Sequence, residues 1–215
     1  MKPWFIFILL LFTFVSARAA DRKITLDSLS VHNNQLCISY HIDGLLNNKT
    51  IQGLEKGLTS EVFHQIRLWK SKKLFSSILV EKNIIIQVLY DNWEDKFRVI
   101  TTGENRLTTQ VQTVRDMCAL VHNHELIDLG EIDSDSRYYI SVQTVLKPVS
   151  AETYHELSDW LSGQSPMEDK EKPKKNGQNK VFSMFLNMLG FGETVLNYKS
   201  NSFQLDSTGT VIFVE

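Results

Sequence analysis

The stretch from Asn83 to Thr101 most constrains what this chain can fold into. Ile84 to Tyr90 is rich in β-branched and aromatic residues, which is typical of a strand, and Asp91 to Glu94 has the composition of a turn. Lys96 to Thr101 then alternates polar and apolar residues, which predicts a returning strand. An isolated hairpin is only marginally stable in water, so its apolar face must be covered by other parts of the chain.

Two further pairs of segments predict the strands that cover it. Ile24 to Val31 and Gln35 to Ile42 form a predicted hairpin around His32-Asn33-Asn34, with a bulge where the first strand changes face between Leu26 and Leu29. A second pair joins through a polar turn and is ended by a proline. Its strands are Glu125–Ile132 and Tyr138–Leu146, and the proline is Pro148.

The longest alternating segment runs from Thr59 to Lys70 and predicts a strand with two distinct faces. One face carries Ser60, Val62, His64, Ile66 and Leu68. The other carries Glu61, Phe63, Gln65, Arg67 and Trp69. Leu74 to Val80 is either a short further strand or an irregular link to the central hairpin.

Two short helices are predicted between these strands. The first runs from Lys49 to Lys56, with Asn48 as its cap and Gly57 as a left-handed stop. The second is opened by Thr109, with Gln112 in the reciprocal capping position. Its apolar stripe recurs at helical spacing and ends just before His122; the stripe is Val111, Val114, Cys118 and Val121.

The C-terminal third changes character. Ser150 caps a predicted helix that ends near Leu161, and residues 164–178 hold two prolines, one glycine and seven charged residues. That composition predicts a disordered linker. The apolar segment Val181–Leu189 predicts a helix on the far side of the linker, and Ser202–Val214 predicts a final hairpin around Ser207-Thr208-Gly209.

These elements predict a mainly β fold, an antiparallel β-sandwich with two or three peripheral helices. The alternative is an α+β domain with one antiparallel sheet backed by helices. The expected organisation is a leader at 1–19, a sandwich domain at 20–163, the linker at 164–178, and an apolar helix and tail at 179–215.

The N-terminus has the pattern of an export signal. Lys2 precedes an apolar run from Trp4 to Val15, and Ala17-Arg18-Ala19 is a small-x-small cleavage site. The run is shorter than the roughly 20 residues that a membrane-spanning helix needs. We therefore expect a periplasmic or secreted protein, and a membrane-anchored one if the signal is not cleaved.

The net charge limits the kinds of partner that the chain can bind, and the two cysteines raise the question of a disulfide. Cleavage after Ala19 lowers Lys+Arg from 23 to 21 against 25 Asp+Glu, which gives a net charge of −4. Nucleic-acid binding depends on neutralising phosphates, so a mildly acidic chain argues against it. An oxidising compartment would allow a disulfide between Cys37 and Cys118, although strand alternation places Cys37 away from the face of Leu36 and Ile38.

No catalytic or metal-binding motif stands out, so we expect no enzyme activity, metal or cofactor. His122-Asn123-His124 with Glu125 provides too few ligands at useful spacing for zinc. Gly163-Gln164-Ser165 begins a nucleophile elbow, but Met167 stands where its second glycine belongs. Cys118 lies on an apolar helix face, where a packing role is far commoner than a nucleophilic one.

Aromatic residues near cations form the predicted binding set, because such side chains dominate protein interfaces. The set is Phe63, Arg67, Trp69 and Trp93, together with Phe182 and Phe185 of the apolar C-terminal segment. The opposing interpretation is that large apolar side chains on both faces of the Thr59–Lys70 strand are buried by packing. The C-terminal segment would then fold back onto the domain rather than contact a partner or a membrane.

Between about Ile24 and Trp160, the sequence resembles a family of exported bacterial proteins, domain of unknown function 4390. The resemblance rests on the order and spacing of five short segments. They are the helix with Ile51, Leu54 and Gly57, the strand closing on Arg67 and Trp69, the strand ending in Leu89-Tyr90, Phe97-Arg98-Val99, and Tyr138–Val142. The family implies export and no known enzymatic activity. We therefore expect a non-enzymatic binding or assembly module of the bacterial envelope, acting on an envelope protein or a membrane surface; the alternatives are a lipid or small-molecule carrier and a hydrolase with a dispersed site.

Overall fold

The computed structural model describes residues 22–72, 74–149, 193–206 and 209–214. Eleven strands account for most of these residues. They are β1 Lys23–His32, β2 Gln35–Asp43, β3 Thr59–Ser71, β4 Ser77–Asp91, β5 Lys96–Thr101, β6 Glu104–Thr108, β7 Leu120–Asp128, β8 Arg137–Val149, β9 Thr194–Lys199, β10 Ser202–Leu205 and β11 Val211–Val214. The helices are α1 Asn48–Glu55, α2 Val111–Ala119 and a 3-10 turn at Leu129–Glu131.

The strands form two antiparallel sheets, which confirms the predicted sandwich-like, mainly β fold. The smaller sheet has the order β1-β2-β7. The larger has eight strands in the order β11-β10-β8-β3-β4-β5-β6, with β9 also paired to β8. β3 therefore lies in the middle of the larger sheet, between β8 and β4.

One continuous core lies between the sheets. The inner residues of β2 and β3 meet in it, including Ile38, Tyr40, Ile66 and Leu68. Both helices add to the same cluster, α1 through Ile51 and Leu54 and α2 through Val114 and Cys118. The helices thus cover the sandwich because each has only one apolar stripe to bury.

The central hairpin is confirmed as β4 and β5, but β4 is longer than its β-branched segment. It begins at Ser77, so part of the ambiguous segment Leu74–Val80 belongs to the same strand. Pairing with β3 along the whole shared length explains the extension, since ladder hydrogen bonds stabilise residues of weaker propensity. In the turn to β5, the Asp91 carboxylate accepts hydrogen bonds from the Trp93 and Glu94 amides.

The first hairpin is confirmed together with its bulge. The β1–β2 register shifts between Leu26 and Ser28. At the turn, Asn33 and Asn34 have φ of 49° and 64°. Two successive positive φ angles are the signature of the type I′ turn, whose twist matches that of the strands, and asparagine tolerates this conformation better than most residues.

Both predicted helix caps were wrong in detail. α1 begins one residue earlier than expected, and Asn47 rather than Asn48 accepts a hydrogen bond from the Thr50 amide, at 2.9 Å. α2 begins at Val111 after Gln110, which makes no side-chain cap. β6, which was not predicted, runs to Thr108, and the Thr108 hydroxyl accepts a hydrogen bond from the Gln110 amide, so the helix begins only after Gln110.

Strand pairing also overrides the helical pattern at the end of α2. The helix ends at Ala119 and β7 begins at Leu120, so Val121 and His122 lie in a strand rather than at a helix terminus. Val121 pairs with Tyr40 of β2, which draws the chain into the smaller sheet earlier than the predicted start at Glu125. The second predicted strand of this pair is β8, and it continues past Pro148 to Val149 instead of ending at the proline. The last β8 residue that pairs with β9 is Leu146.

The C-terminal hairpin is confirmed as β10 and β11, and it joins the larger sheet. β9, which was not predicted, pairs with Ser141–Leu146 of β8, and Phe203 of β10 pairs with Tyr138 further along the same strand. Ser200 joins β9 to β10: its amide donates to the Ile140 carbonyl, and its hydroxyl accepts from the Ile140 amide, both at 2.9 Å.

Several predicted features lie outside the described residues. They are the leader at 1–19, the helix from Ser150 to Leu161, the linker at 164–178 and the apolar segment Val181–Leu189. Within the part of the chain that the structure describes, no helix has the length and apolar character to cross a bilayer.

Candidate functional site

The outer face of β3 is partly open to solvent along its length. Alternation along the strand buries every inner residue from Ser60 to Leu68, as predicted. The outward residues, including Phe63, Arg67 and Trp69, are all half-buried. This face, formed by the outward side chains of β3 with those paired to them on β4, β8 and β9, is called the outer face below.

Trp69 lies at the centre of an aromatic cluster on the outer face. Its ring stacks on that of Tyr139, the residue opposite it on β8, with centroids 5.8 Å apart and planes 7° from parallel. Its Nε1–H donates to the Ser141 hydroxyl at 2.8 Å. The ammonium of Lys199 lies 4.1 Å from the centroid of Tyr139, within the range of a cation–π interaction. Three strands therefore hold one ordered aromatic surface.

Arg67 is held on the same face by an ion pair with β4. Its Nε donates to Glu81 at 2.7 Å, and Gln65 donates to the second Glu81 oxygen at 3.0 Å. The hydrogen bond from Arg67 is the main cause that lowers the pKa of Glu81 below its ordinary value. Glu81 is thus ionised at neutral pH, and the pair orients the guanidinium beside the aromatic cluster.

A groove of about 340 Å³ lies next to these residues, where β3, β8 and β9 run side by side. Its polar lining is Gln65, Arg67, Ser141, Gln143, Asn197 and Lys199. Gln143 and Asn197 are joined across the strands by a 2.9 Å hydrogen bond. Amides, a hydroxyl and two cations can hydrogen-bond a polar or anionic group, while the neighbouring rings offer stacking.

The structure separates the residues that the sequence placed in one binding set. Arg67 and Trp69 lie together, and Phe63 lies further along β3, opposite Val145 and Ile85. Trp93 is 99% exposed in the β4–β5 turn, at the other end of β4 from the partner of Trp69. Phe182 and Phe185 lie outside the described residues.

Sequence reasoning missed Tyr139 and Lys199. Tyr139 belongs to a predicted strand, but nothing local shows that it stands opposite Trp69. Lys199 lies on β9, for which no strand was predicted. Only the pairing of β3, β8 and β9 brings these residues together, so an interpretation of each segment alone could not have found the cluster.

The histidine on the inner face of β3 is a core residue. His64 is 0% exposed. Its Nε2 lies 3.1 Å from the Cys118 carbonyl and its Nδ1 lies 3.0 Å from the Thr144 hydroxyl. A carbonyl can only accept, so Nε2 carries the proton and Nδ1 accepts from Thr144. Burial lowers the pKa of His64 to about 4, so the ring is neutral at physiological pH.

The two cysteines are free and buried, so the disulfide considered from the sequence is not formed. Cys118 belongs to the core cluster, whereas Cys37 lies on the other face of β2 and is not part of it. This is the separation that strand alternation predicts. Burial raises the pKa of Cys118 to about 12, which keeps it a thiol. Among the described residues, no group of three or more His, Cys, Asp or Glu side chains could hold a metal ion.

Fold and outer face together define a sandwich-like β protein with a solvent-accessible surface of aromatic and cationic side chains. The chain belongs to the family described as domain of unknown function (DUF4390), which it matches over residues 21–150, and this confirms the resemblance seen in the sequence. No curated protein and no solved structure matches the chain.

Proposed function

We propose that this protein is exported to the bacterial envelope and acts there as a non-enzymatic binding or assembly module through its outer face. The observation that carries the proposal is the cluster of Trp69, Tyr139 and Lys199 beside the groove. Tryptophan, tyrosine and arginine dominate the energetics of protein interfaces. The leader-like N-terminus supports export.

The order of the cluster makes the outer face suitable for binding. Trp69 is fixed by stacking and by its bond to Ser141, and Arg67 is fixed by Glu81. Side chains that are already ordered lose little conformational entropy when a partner arrives. Arg67 and Lys199 favour a partner segment that presents a carboxylate next to an apolar or aromatic side chain.

A pull-down from bacterial envelope extract tests the binding surface. The baits are the unaltered chain, Trp69→Ala, and Trp93→Ala as a matched control, since Trp93 is exposed in a turn away from the cluster. We expect a protein recovered by the unaltered chain and by Trp93→Ala but lost with Trp69→Ala. Thermal melting of each bait shows whether it is folded. Identical recovery by three folded baits, or no specific partner, would overturn the assignment to this face.

Export has its own test. Expressed in a bacterium, the full chain should reach the periplasm or the medium, and its mass should correspond to a start at Ala20. A product that keeps residues 1–19 and remains in the cytoplasm would contradict export without touching the binding test.

A further inference from the structure

The connection between β3 and β4 exposes an unusual amount of apolar surface. Leu74 is 86% exposed, Phe75 80%, Ile78 46% and Leu79 37%. Single exposed apolar side chains are normal on proteins, but four large ones within six residues are a concentration of exposed apolar surface that favours contact with a partner. The described residues of this connection, 70–72 and 74–79, are called the β3–β4 tip below.

The tip lies at one end of the larger sheet. Lys70 pairs with Ser77 and Trp69 with Ile78, so the ladder between β3 and β4 continues up to the connection. Leu74 and Phe75 lie beyond the last paired residues, with the paired strands behind them. Leu74 and Phe75 therefore lie at the end of a paired hairpin, at the opposite end of β4 from its turn into β5.

The charges at the tip identify the kind of surface it fits. From Lys70 to Val80 the sequence has three lysines and no acidic residue. Lys72 is exposed, as is Arg137 opposite Ser71 on β8. Lys70 is engaged by Asp133 of the neighbouring turn at 3.2 Å. Exposed leucine and phenylalanine flanked by cations match the boundary between anionic lipid headgroups and acyl chains.

We infer that the β3–β4 tip docks onto an anionic lipid surface. Leu74 and Phe75 enter the headgroup region, and Lys72 and Arg137 lie against lipid phosphates. This goes beyond binding at the outer face, which the tip adjoins where Ile78 pairs with Trp69, because it names a lipid partner for Leu74 and Phe75 and does not require the groove to be occupied.

A dye at the tip tests the contact directly. Phe75→Cys in the full chain is labelled with an environment-sensitive fluorophore; Cys37 and Cys118 are buried and do not compete under native conditions. Vesicles with one-third phosphatidylglycerol in phosphatidylcholine should shift the emission to the blue, and pure phosphatidylcholine vesicles should shift it far less. The same dye at Trp93→Cys should not respond.

The labelled tip also separates this contact from other apolar segments. If the chain binds vesicles through Trp4–Val15 or Val181–Leu189 alone, it will sediment with them while the dye at position 75 stays unshifted, and the inference falls. It also falls if the dye responds to soluble envelope proteins and not to vesicles, since the tip would then be a protein-docking surface.

Sedimentation of variants gives the magnitude. Leu74→Ser with Phe75→Ser should weaken binding to the anionic vesicles by at least about tenfold, because two large apolar side chains no longer enter the bilayer. Lys72→Glu should weaken it several-fold at low salt and less at high salt. Trp93→Ser, which removes an exposed aromatic elsewhere, should leave binding unchanged. Equal binding by all variants would overturn the inference.

Discussion

The two faces of β3 are made by alternate residues of one strand, yet one face is closed and the other is open. His64, Ile66 and Leu68 have no exposed surface. Arg67 and Trp69, their immediate neighbours, remain partly exposed and are held by cross-strand pairs. The comparison shows that side chains can be ordered without being buried in the core. An open face whose side chains are already in place is what a binding surface requires.

The largest expected effect on stability distinguishes the inner and outer faces of β3 at two adjacent residues. Ile66→Ala should lower the free energy of unfolding by about 3 kcal/mol, because it leaves a cavity in the core. Gln65→Ala, one residue away on the outer face, should change it by less than about 0.5 kcal/mol. Guanidinium denaturation measures both. Similar losses at the two positions would show that the outer face is closed as well.

A nearly equal loss of stability is expected when the pH is lowered, because the inner face contains a buried histidine. The pKa of His64 is lowered to about 4. As pH falls below about 6.5, the unfolded chain therefore takes up a proton that the folded chain refuses, and stability decreases. The loss attributable to His64 between pH 7 and pH 4 should be about 3 kcal/mol.

His64→Gln is the control for that pH dependence, since its amide can still donate to Cys118 and accept from Thr144 but does not titrate. The free energy of unfolding of the unaltered chain, minus that of His64→Gln, should fall by about 3 kcal/mol as pH decreases from 7 to 4. Other groups contribute equally to both chains and cancel in the difference. Curves that stay parallel would show that His64 gains a proton in the folded state as easily as in the unfolded one.

A smaller effect on stability is expected where β9 and β10 pair with one edge of β8. Ser200→Ala removes the acceptor for the Ile140 amide, which is buried. An unpaired buried amide costs about 1–2 kcal/mol. Hydrogen exchange of the Ile140 amide should speed up together with the loss of stability. Unchanged protection would indicate that another group or water replaces the hydroxyl.

The smallest effect is expected on the open face. Trp69→Phe keeps an aromatic ring against Tyr139 but removes the donor to Ser141, and should cost about 0.5–1 kcal/mol. Binding of a partner found with the unaltered chain should fall more steeply than stability. If stability falls as much as for Ile66→Ala, Trp69 is a packing residue and the comparison between the faces fails.

Period-two alternation allowed the faces of β3 to be predicted, because the face of the sheet to which a side chain points is set by its position along the strand alone. The same rule separated Cys37 from the core. The limit appears at Val121, where a helical pattern was overruled by pairing with Tyr40, a strand partner that no local window contains. The Trp69–Tyr139–Lys199 cluster could not be predicted for the same reason, since its residues come from three strands whose register is a property of the whole sheet.

The Ser200 junction has a consequence for how the molecule is completed. The segment shared with the family ends at residue 150, but the strands that flank β8 on one side lie between residues 194 and 205. A chain still emerging from the ribosome or a translocation channel cannot finish the larger sheet until these last residues arrive, and until then the backbone of β8 stays available to strands of other molecules. The order of synthesis therefore leaves a period in which one edge of β8 is unpaired, and an unpaired strand edge favours association with other chains.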